Sequence, residues 1–503
     1  MDLVILITVV IYFLIMLLVG FWANRRTKSS KDFLVAGQSL GFFVMAIATF
    51  SSIQSGWGMF GTTGTVYGWG IQAVIATGII TPIGFFLSWT LLGTKLRRIA
   101  QYHEVYSVPD IIRVRYGSRA AHITMSVAMF IGSIGYMTSQ ITAMGFIMSL
   151  LFDTSFITGA WIGSIIVAIY TIAGGMLAAV WTDLIQGVLM VGMSLAVFIV
   201  ATANAGGWGG MLNSIAAENP EFTSLMGIMP ITWIFSAAIM IIFGSAGQPQ
   251  LITKFLMLRD EKELRWGALT ASVAYAITTL FSIGVGLAVR ALVIEGSVPA
   301  LDNIDNVTTQ FLGSEDLINP VLGGLALTAL LAAIMSSASS FITIGASSIM
   351  RDLASAFNIQ VKRDLLWGRI YSAVIVLLSL LFGLYLDQII YLLGAIGWSA
   401  FGAATFGPIV LGIYWKRATG IATTISIILG LVFNLVATIL TANGIITVPE
   451  YFHIGGITLI AGMLIFIVLS YVTSSADDQE KFENMYLDNH LKHKTEVAVG
   501  EVK

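Results

Sequence analysis

Apolar residues fill this chain in runs of about 20, the length that carries a helix across a bilayer about 30 Å thick. Thirteen runs fall at 2–22, 41–66, 70–94, 120–151, 155–174, 178–203, 229–253, 266–293, 318–350, 366–386, 388–414, 419–442 and 453–473. The pattern predicts an all-α membrane protein with a transmembrane body over 1–473 and a polar tail over 474–503. Gly174-Gly175, between the fifth and sixth runs, reads as a tight hairpin. The first run lacks a basic lead-in and a small-residue cleavage site, so it reads as a retained span rather than a signal peptide.

Two of the runs are interrupted. In the second, Ser51-Ser-Ile-Gln-Ser-Gly-Trp-Gly58 inserts hydroxyls, an amide and two glycines, residues that weaken a helix or compete for its hydrogen bonds. In the seventh, Phe243-Gly-Ser-Ala-Gly-Gln-Pro249 ends in a proline, which leaves the Ser245 carbonyl without its helical donor. Freed carbonyls inside a membrane are tolerated only in protein or along a cavity. Because the breaks lie five spans apart, spans 2–6 and 7–11 have the pattern of an inverted-repeat secondary transporter.

The ninth run carries Leu331-Ala-Ala-Ile-Met-Ser-Ser-Ala-Ser-Ser340, four hydroxyls within two turns of an otherwise apolar helix. Ser336, Ser339 and Ser340 share a face, and Ala333 lies one turn before Ser336 and Ser337. A carbonyl and hydroxyls at that spacing suit a weakly held hard cation better than a transition metal. Close packing of small residues is the competing explanation. Asp183, near the inner start of the sixth run, is either an intramembrane functional carboxylate or an acid complementing a helix N-terminus.

Charge placement sharpens the topology. Of the 25 basic residues, 24 fall within Arg25–Lys31, Lys95–Arg119, Lys254–Arg265, Arg351–Arg369, Lys416–Arg417 and Lys481–Lys503, leaving Arg290 on the other side. By the positive-inside rule the amino terminus is outside and the carboxyl terminus cytoplasmic, in a multi-pass protein of the plasma (inner) membrane. With 57% hydrophobic residues, 10% charged and a mean hydropathy of +0.89, a soluble domain is excluded. The net charge of -2 points to no nucleic acid. Cysteine is absent, which removes thiol chemistry. An intramembrane hydrolase would need a base beside one of the serines, and all five histidines fall in loops, at span edges or in the tail.

Four stretches together resemble the sodium:solute symporters, most of all their proline-transporting branch: Gly174-Gly-Met-Leu-Ala-Ala-Val-Trp-Thr-Asp-Leu-Ile-Gln186, Ala332-Ala-Ile-Met-Ser-Ser337, Gly247-Gln-Pro249, and Gly397-Trp-Ser-Ala-Phe-Gly-Ala-Ala-Thr-Phe-Gly-Pro408 with Trp415-Lys-Arg417. The resemblance implies a leucine-transporter-like five-plus-five repeat within thirteen helices, and sodium-coupled import of a small organic solute by alternating access. It assigns a sodium ion to carbonyls at Ser51 and Gln54, the Ala333 carbonyl, and the Ser336 and Ser337 hydroxyls. A second sodium, or its release path, falls to Asp183, Ser339 and Ser340 together with Ser336. Solute contacts fall to Gln54, Trp57, Tyr136, Gln140, Ser245, Gln248 and Trp398. The chain departs from the proline branch at Ile53, where that branch has an aspartate, and at Ile241 and Ser245, where it has aromatic rings. Proline-like amino acids and small carboxylates are both open as solutes, and a proton-coupled carrier using Asp183 is the alternative.

Overall fold

The structure, a computed structural model, describes residues 3–24, 41–258, 264–386, 390–445 and 452–486, without the side chains of 23, 24, 170, 172–178, 265, 364, 365 and 442. Residues 174 and 175, where a tight hairpin is expected, are helical instead and lie within one helical run over 156–204. The regular elements among the described residues are helices, with no strand. Eleven helices are long and apolar enough to cross a membrane, from Leu3–Trp22 (in α1, Leu3–Asn24) to Ile454–Thr473 (α17). Large apolar side chains such as Leu18, Phe235 and Val472 stay exposed, as a surface solvated by lipid tails requires.

The expected second span begins as a short helix, α2 (Phe42–Ile53), and resumes through a π turn, Trp57–Gly61, into α3 (Thr62–Trp69). At Gly70 the chain takes φ +60 and turns into α4 (Ile71–Tyr102). A Cβ there would lie 2.0 Å from the Phe222 carbonyl oxygen, so only glycine fits. The Ser107 side chain caps α5 (Val108–Tyr116), Ser118 caps α6 (Arg119–Phe152), and Ser155 caps α7 (Phe156–Asn204).

The helical run of α7 has 49 residues and would be about 73 Å long if straight. Both of its ends nevertheless approach one connection. Asn204 Nδ2 donates to the Leu317 carbonyl, while Leu150, just before α7, packs where a Gly313 side chain would begin. It is therefore not a single straight rod.

After α8 (Gly207–Glu218) comes the second interrupted span, α9 (Ile231–Ala246) followed by α10 (Pro249–Met257). Then follow α11 (Leu264–Ile294), the short α12 (Val307–Leu312), α13 (Pro320–Ser347) with a π turn at Ser348–Leu353, α14 (Asp364–Leu386), α15 (Ile390–Thr405) and α16 (Gly420–Ala442). Helix α7 packs on α13, α11, α6, α1 and α2, and α15 packs on α6. The two breaks are thus enclosed by protein, where their freed backbone groups find partners.

The polar tail starts with a helix, α18 (Ala476–Asn484), opened by a Ser475–Asp478 capping box and resting against α5 with none of its residues buried. Buried Arg115 donates to the carbonyls of Gly412, Trp415 and Asp478, and Tyr486 Oη reaches the Ile413 carbonyl at 2.7 Å. Desolvation lowers the Arg115 pKa and raises that of Tyr116 beside it to about 12. The Gly412 and Ile413 carbonyls lie just past the end of a helical turn at Leu411, and Arg115 and Tyr486 give them partners, which ties the tail to the body.

Candidate ion and solute site

Helix α2 stops at Gln54, whose backbone is extended at φ -67 and ψ 121. The carbonyls around it turn toward α13. There the Ser337 hydroxyl donates to the Ser52 carbonyl at 3.0 Å and to the Gln54 carbonyl at 3.2 Å. Ser51 Oγ donates to Ser336 Oγ at 3.0 Å. Ala333, one turn earlier on α13, is fully buried. The five residues nominated for the first ion therefore come from the broken segment and the hydroxyl-bearing helix, and those two elements meet.

Asp183 lies well inside α7 rather than in its first turn, and it is fully buried. Its Oδ1 accepts from Ser336 Oγ at 2.6 Å; its Oδ2 accepts from Ser52 Oγ at 2.9 Å and from Lys254 Nζ at 2.8 Å. Lys254 is 2% exposed, on α10 among apolar neighbours, not in the polar loop where the sequence reading puts it. A buried carboxylate with three donors, one of them an ammonium, is a compensated charge. Ser339 donates to its own helix at the Ser336 carbonyl, and Ser340 Oγ is buried without a partner. Neither makes a hydrogen bond to Asp183.

Sequence reasoning missed Ser52 and Lys254. The signal for Lys254 was available: Leu251, Ile252, Phe255, Leu256, Met257 and Leu258 around it are all fully buried, so a lysine there needs an internal anion. Ser52 carried no signal of its own, since Ser51 and Ser55 stand beside it in the same break.

The solute residues form one buried cluster. Trp57 and Trp398 have ring centroids 5.1 Å apart, and each lies 6.2 Å from Tyr136. Tyr136 Oη pairs with Ser55 Oγ at 2.9 Å, and Gln140 Oε1 accepts from the Gly56 N–H at 2.9 Å, tying α6 to the break. Gln248 Nε2 donates to the carbonyls of Gly244 and Trp398. Ser245 bonds its own helix at the Ile241 carbonyl. Four buried polar atoms have no partner: Trp57 Nε1, Trp398 Nε1, Gln54 Oε1 and Gln248 Oε1. A buried aromatic cluster with unspent donors and acceptors is suited to a polar solute.

Two interrupted helices, a third helix bridging to one of them through hydroxyls, and a buried aromatic cluster with unpartnered polar atoms beside that break define a secondary transporter, not an enzyme. Residues 33–430 match the sodium:solute symporter family, and the chain belongs to that family. It is therefore a multi-pass membrane protein that couples a solute to sodium ions. It is 30% identical over 425 residues to the osmoregulated proline transporter OpuE of Bacillus subtilis, covering 83% of this chain and 85% of that one. It is 29% identical over 485 residues to a sodium/proline symporter of Escherichia coli, covering 94% of each. Among solved structures, a Na+-coupled sialic acid symporter in an outward-open state superposes with a TM-score of 0.74 at 18% identity, over 94% of this chain and 98% of the other. A nucleobase-cation-symport-1 family transporter gives 0.55 at 15% identity, over 92% and 100%. These two likenesses establish the shared helical transporter fold.

Proposed function

We propose that the chain imports proline or a closely similar amino acid together with one sodium ion, by alternating access across the plasma (inner) membrane. The observation that carries the reading is the Ser337 hydroxyl reaching the freed carbonyls of Ser52 and Gln54. Sodium replaces the hydroxyl proton as the group those oxygens share, with the Ser52 carbonyl joining Ser51, Gln54, Ala333, Ser336 and Ser337 in its shell. Binding there joins the broken helix to α13 and favours the conformation that accepts solute. Ion and solute are coupled because both prefer that state.

The orphaned atoms support an amino acid over a plain carboxylate. Two indole N–H groups suit a carboxylate, while two amide oxygens suit an ammonium. Trp57, Tyr136 and Trp398 supply faces for a small apolar ring. Two relatives named for proline transport point the same way. Gln140, Ser245 and Gln248 complete the wall, and the small Ser245 and Ile241 leave more room than aromatic rings would.

A single sodium follows from Lys254. Its ammonium already supplies the charge that a second sodium would bring to Asp183.

Thirteen spans are supported by adding the shorter apolar helices Phe42–Ile53 and Phe156–Ile169 to the eleven long ones. The five-plus-five repeat is supported by the breaks themselves. Gln248, at φ -75 and ψ 121, repeats the Gln54 conformation, and each glutamine keeps an unpartnered Oε1. The face carrying Arg113, Arg115, Lys416 and Lys481 is the cytoplasmic one, which sets the amino terminus outside. Lipid surrounds the body over 1–473.

The test is uptake of labelled proline into proteoliposomes, in sodium or choline, across pH 6 to 8. A sodium gradient is expected to raise the rate about tenfold or more at every pH. Equal uptake in choline overturns the reading, and uptake in choline driven by a proton gradient replaces it with proton symport.

A further inference from the structure

From the Asp183 site toward the basic face, α13 carries a row of hydroxyls: Ser336, Ser340, Thr343 and Ser347. Their spacing of i, i+4, i+7 and i+11 keeps them within about 60° of arc over about 16 Å of helix. The row ends at the π turn Ser348–Leu353, which holds Asp352. A cavity of about 20 Å³ opens there, enough for one water-sized occupant. Its walls include Ser107, Thr253, Thr343, Ser347, Ser348 and Asp352. Thr253 precedes Lys254 in the chain, so this cavity adjoins the Asp183 site through α10 as well as through α13.

Asp352 is 1% exposed. Its Oδ1 accepts from Ser107 Oγ and from Arg351 Nη1, each at 3.0 Å, but its buried Oδ2 has no partner. Arg351 also reaches Asp110 Oδ2 at 2.8 Å. Arg351 is shared between the two buried carboxylates and half-exposed Arg113 adds a longer contact to Asp110 at 3.4 Å, so Asp352 Oδ2 is the carboxylate oxygen of this group left facing no cation. Thr343 and Ser347 spend their hydroxyl protons on the Ser339 and Ile344 carbonyls of their own helix, which leaves oxygen lone pairs for a cation. Ser340 Oγ, midway along the row, is buried and unpaired.

We propose that Asp352 Oδ2, with the Thr343 and Ser347 hydroxyls, forms an exit station that receives sodium leaving the Asp183 region on its way to the cytoplasm. An unpartnered carboxylate oxygen beside neutral oxygen donors matches a hard monovalent cation. The station rests on the sodium reading above. It also lies where α5, α10 and α13 meet, so a cation held there bridges three elements of the cytoplasmic face. His122, with a buried unpartnered Nε2, has a ligand atom within 4.8 Å of those of Asp110 and Asp352, which gives a transition metal a competing claim on the cluster.

The experiment measures inhibition of uptake by sodium on the cytoplasmic side of oriented proteoliposomes. Asp352→Asn and Ser347→Ala are each expected to raise the internal sodium needed for half-inhibition at least fivefold, with external half-saturation unchanged. Asp352→Asn also disturbs the Arg351 pair; Ser347→Ala does not touch it. Unchanged internal sensitivity in both variants, with wild-type sodium dependence intact, overturns the station alone. Loss of sodium dependence in the wild type would instead strike the transport reading. Inhibition by micromolar zinc that His122→Gln relieves would reassign the cluster to a transition metal and overturn the sodium station.

Discussion

Ser337 holds two freed carbonyls with one hydroxyl, so its removal should be felt by the ion before it is felt by the fold. Ser337→Ala and Ser336→Ala are each expected to raise half-saturating sodium about tenfold, equivalent to about 1.4 kcal/mol of lost ion binding. Uptake against sodium concentration, normalised to protein in the membrane, checks this. The Asp183–Lys254 pair predicts a different pattern. Lys254→Met strands a buried carboxylate and should cost about 3–5 kcal/mol of stability, and Asp183→Asn alone should cost a comparable amount. The double variant should recover most of the loss, read as thermal unfolding of purified protein. Additive losses would mean that the pair is not coupled. At this scale the serines of α13 were legible, because four hydroxyls in an apolar run stand out. Lys254 was legible only in part: its apolar neighbours mark a lysine that needs an internal anion, but the partner lies 71 residues away in sequence.

At the scale of elements, the two breaks were readable from helix chemistry. Proline cannot donate, and Ser, Gln and Gly in a row compete with or weaken the helix. What the breaks pack against was not readable. Glycines on α15 let it approach closely: a Cβ on Gly397 would lie 2.6 Å from the Tyr136 backbone nitrogen and Cα, and one on Gly394 would lie 2.2 Å from the Trp57 ring. Backbone cannot swing aside as a side chain can. Gly397→Ala should therefore push α15 off α6, raise the KM for solute at least tenfold and leave insertion in the membrane unchanged. Solute kinetics at saturating sodium measure it. The packing of α18 against α5 was not readable for a related reason: its anchors are backbone carbonyls, which no sequence pattern marks.

For the whole molecule, charge bias and burial give two further expectations. The chain has no cysteine, so single replacements can be labelled without background. Ser297→Cys should react with an impermeant reagent from outside intact cells and Glu480→Cys only after permeabilisation; the reverse would invert the topology. Asp305 caps the outer start of α15 through the Ile390 N–H at 3.0 Å, and burial raises its carboxyl to about 6. The folded protein thus holds this proton more tightly than the unfolded chain does, whose carboxyl titrates near about 3.9. The stabilisation is complete below about pH 4 and disappears as pH rises through about 6. Relative to Asp305→Asn, the wild type should lose about 1–3 °C in Tm between pH 4 and 7. Parallel pH profiles of the two proteins would remove Asp305 as the cause.

The sequence by itself determined the membrane class, the approximate spans and the two helix breaks. These follow from local rules: the length of apolar runs, the hydrogen bonds a residue can make within one turn, and the cost of charge in lipid. Its charge distribution also predicted an orientation. Only the tertiary structure decided that Asp183 answers to Lys254, that Ser52 shares the carboxylate with Ser336, and that the tail lies down on Arg115. Those contacts join residues far apart in the chain, and their energy comes from partners meeting away from water, which only the packed helices provide.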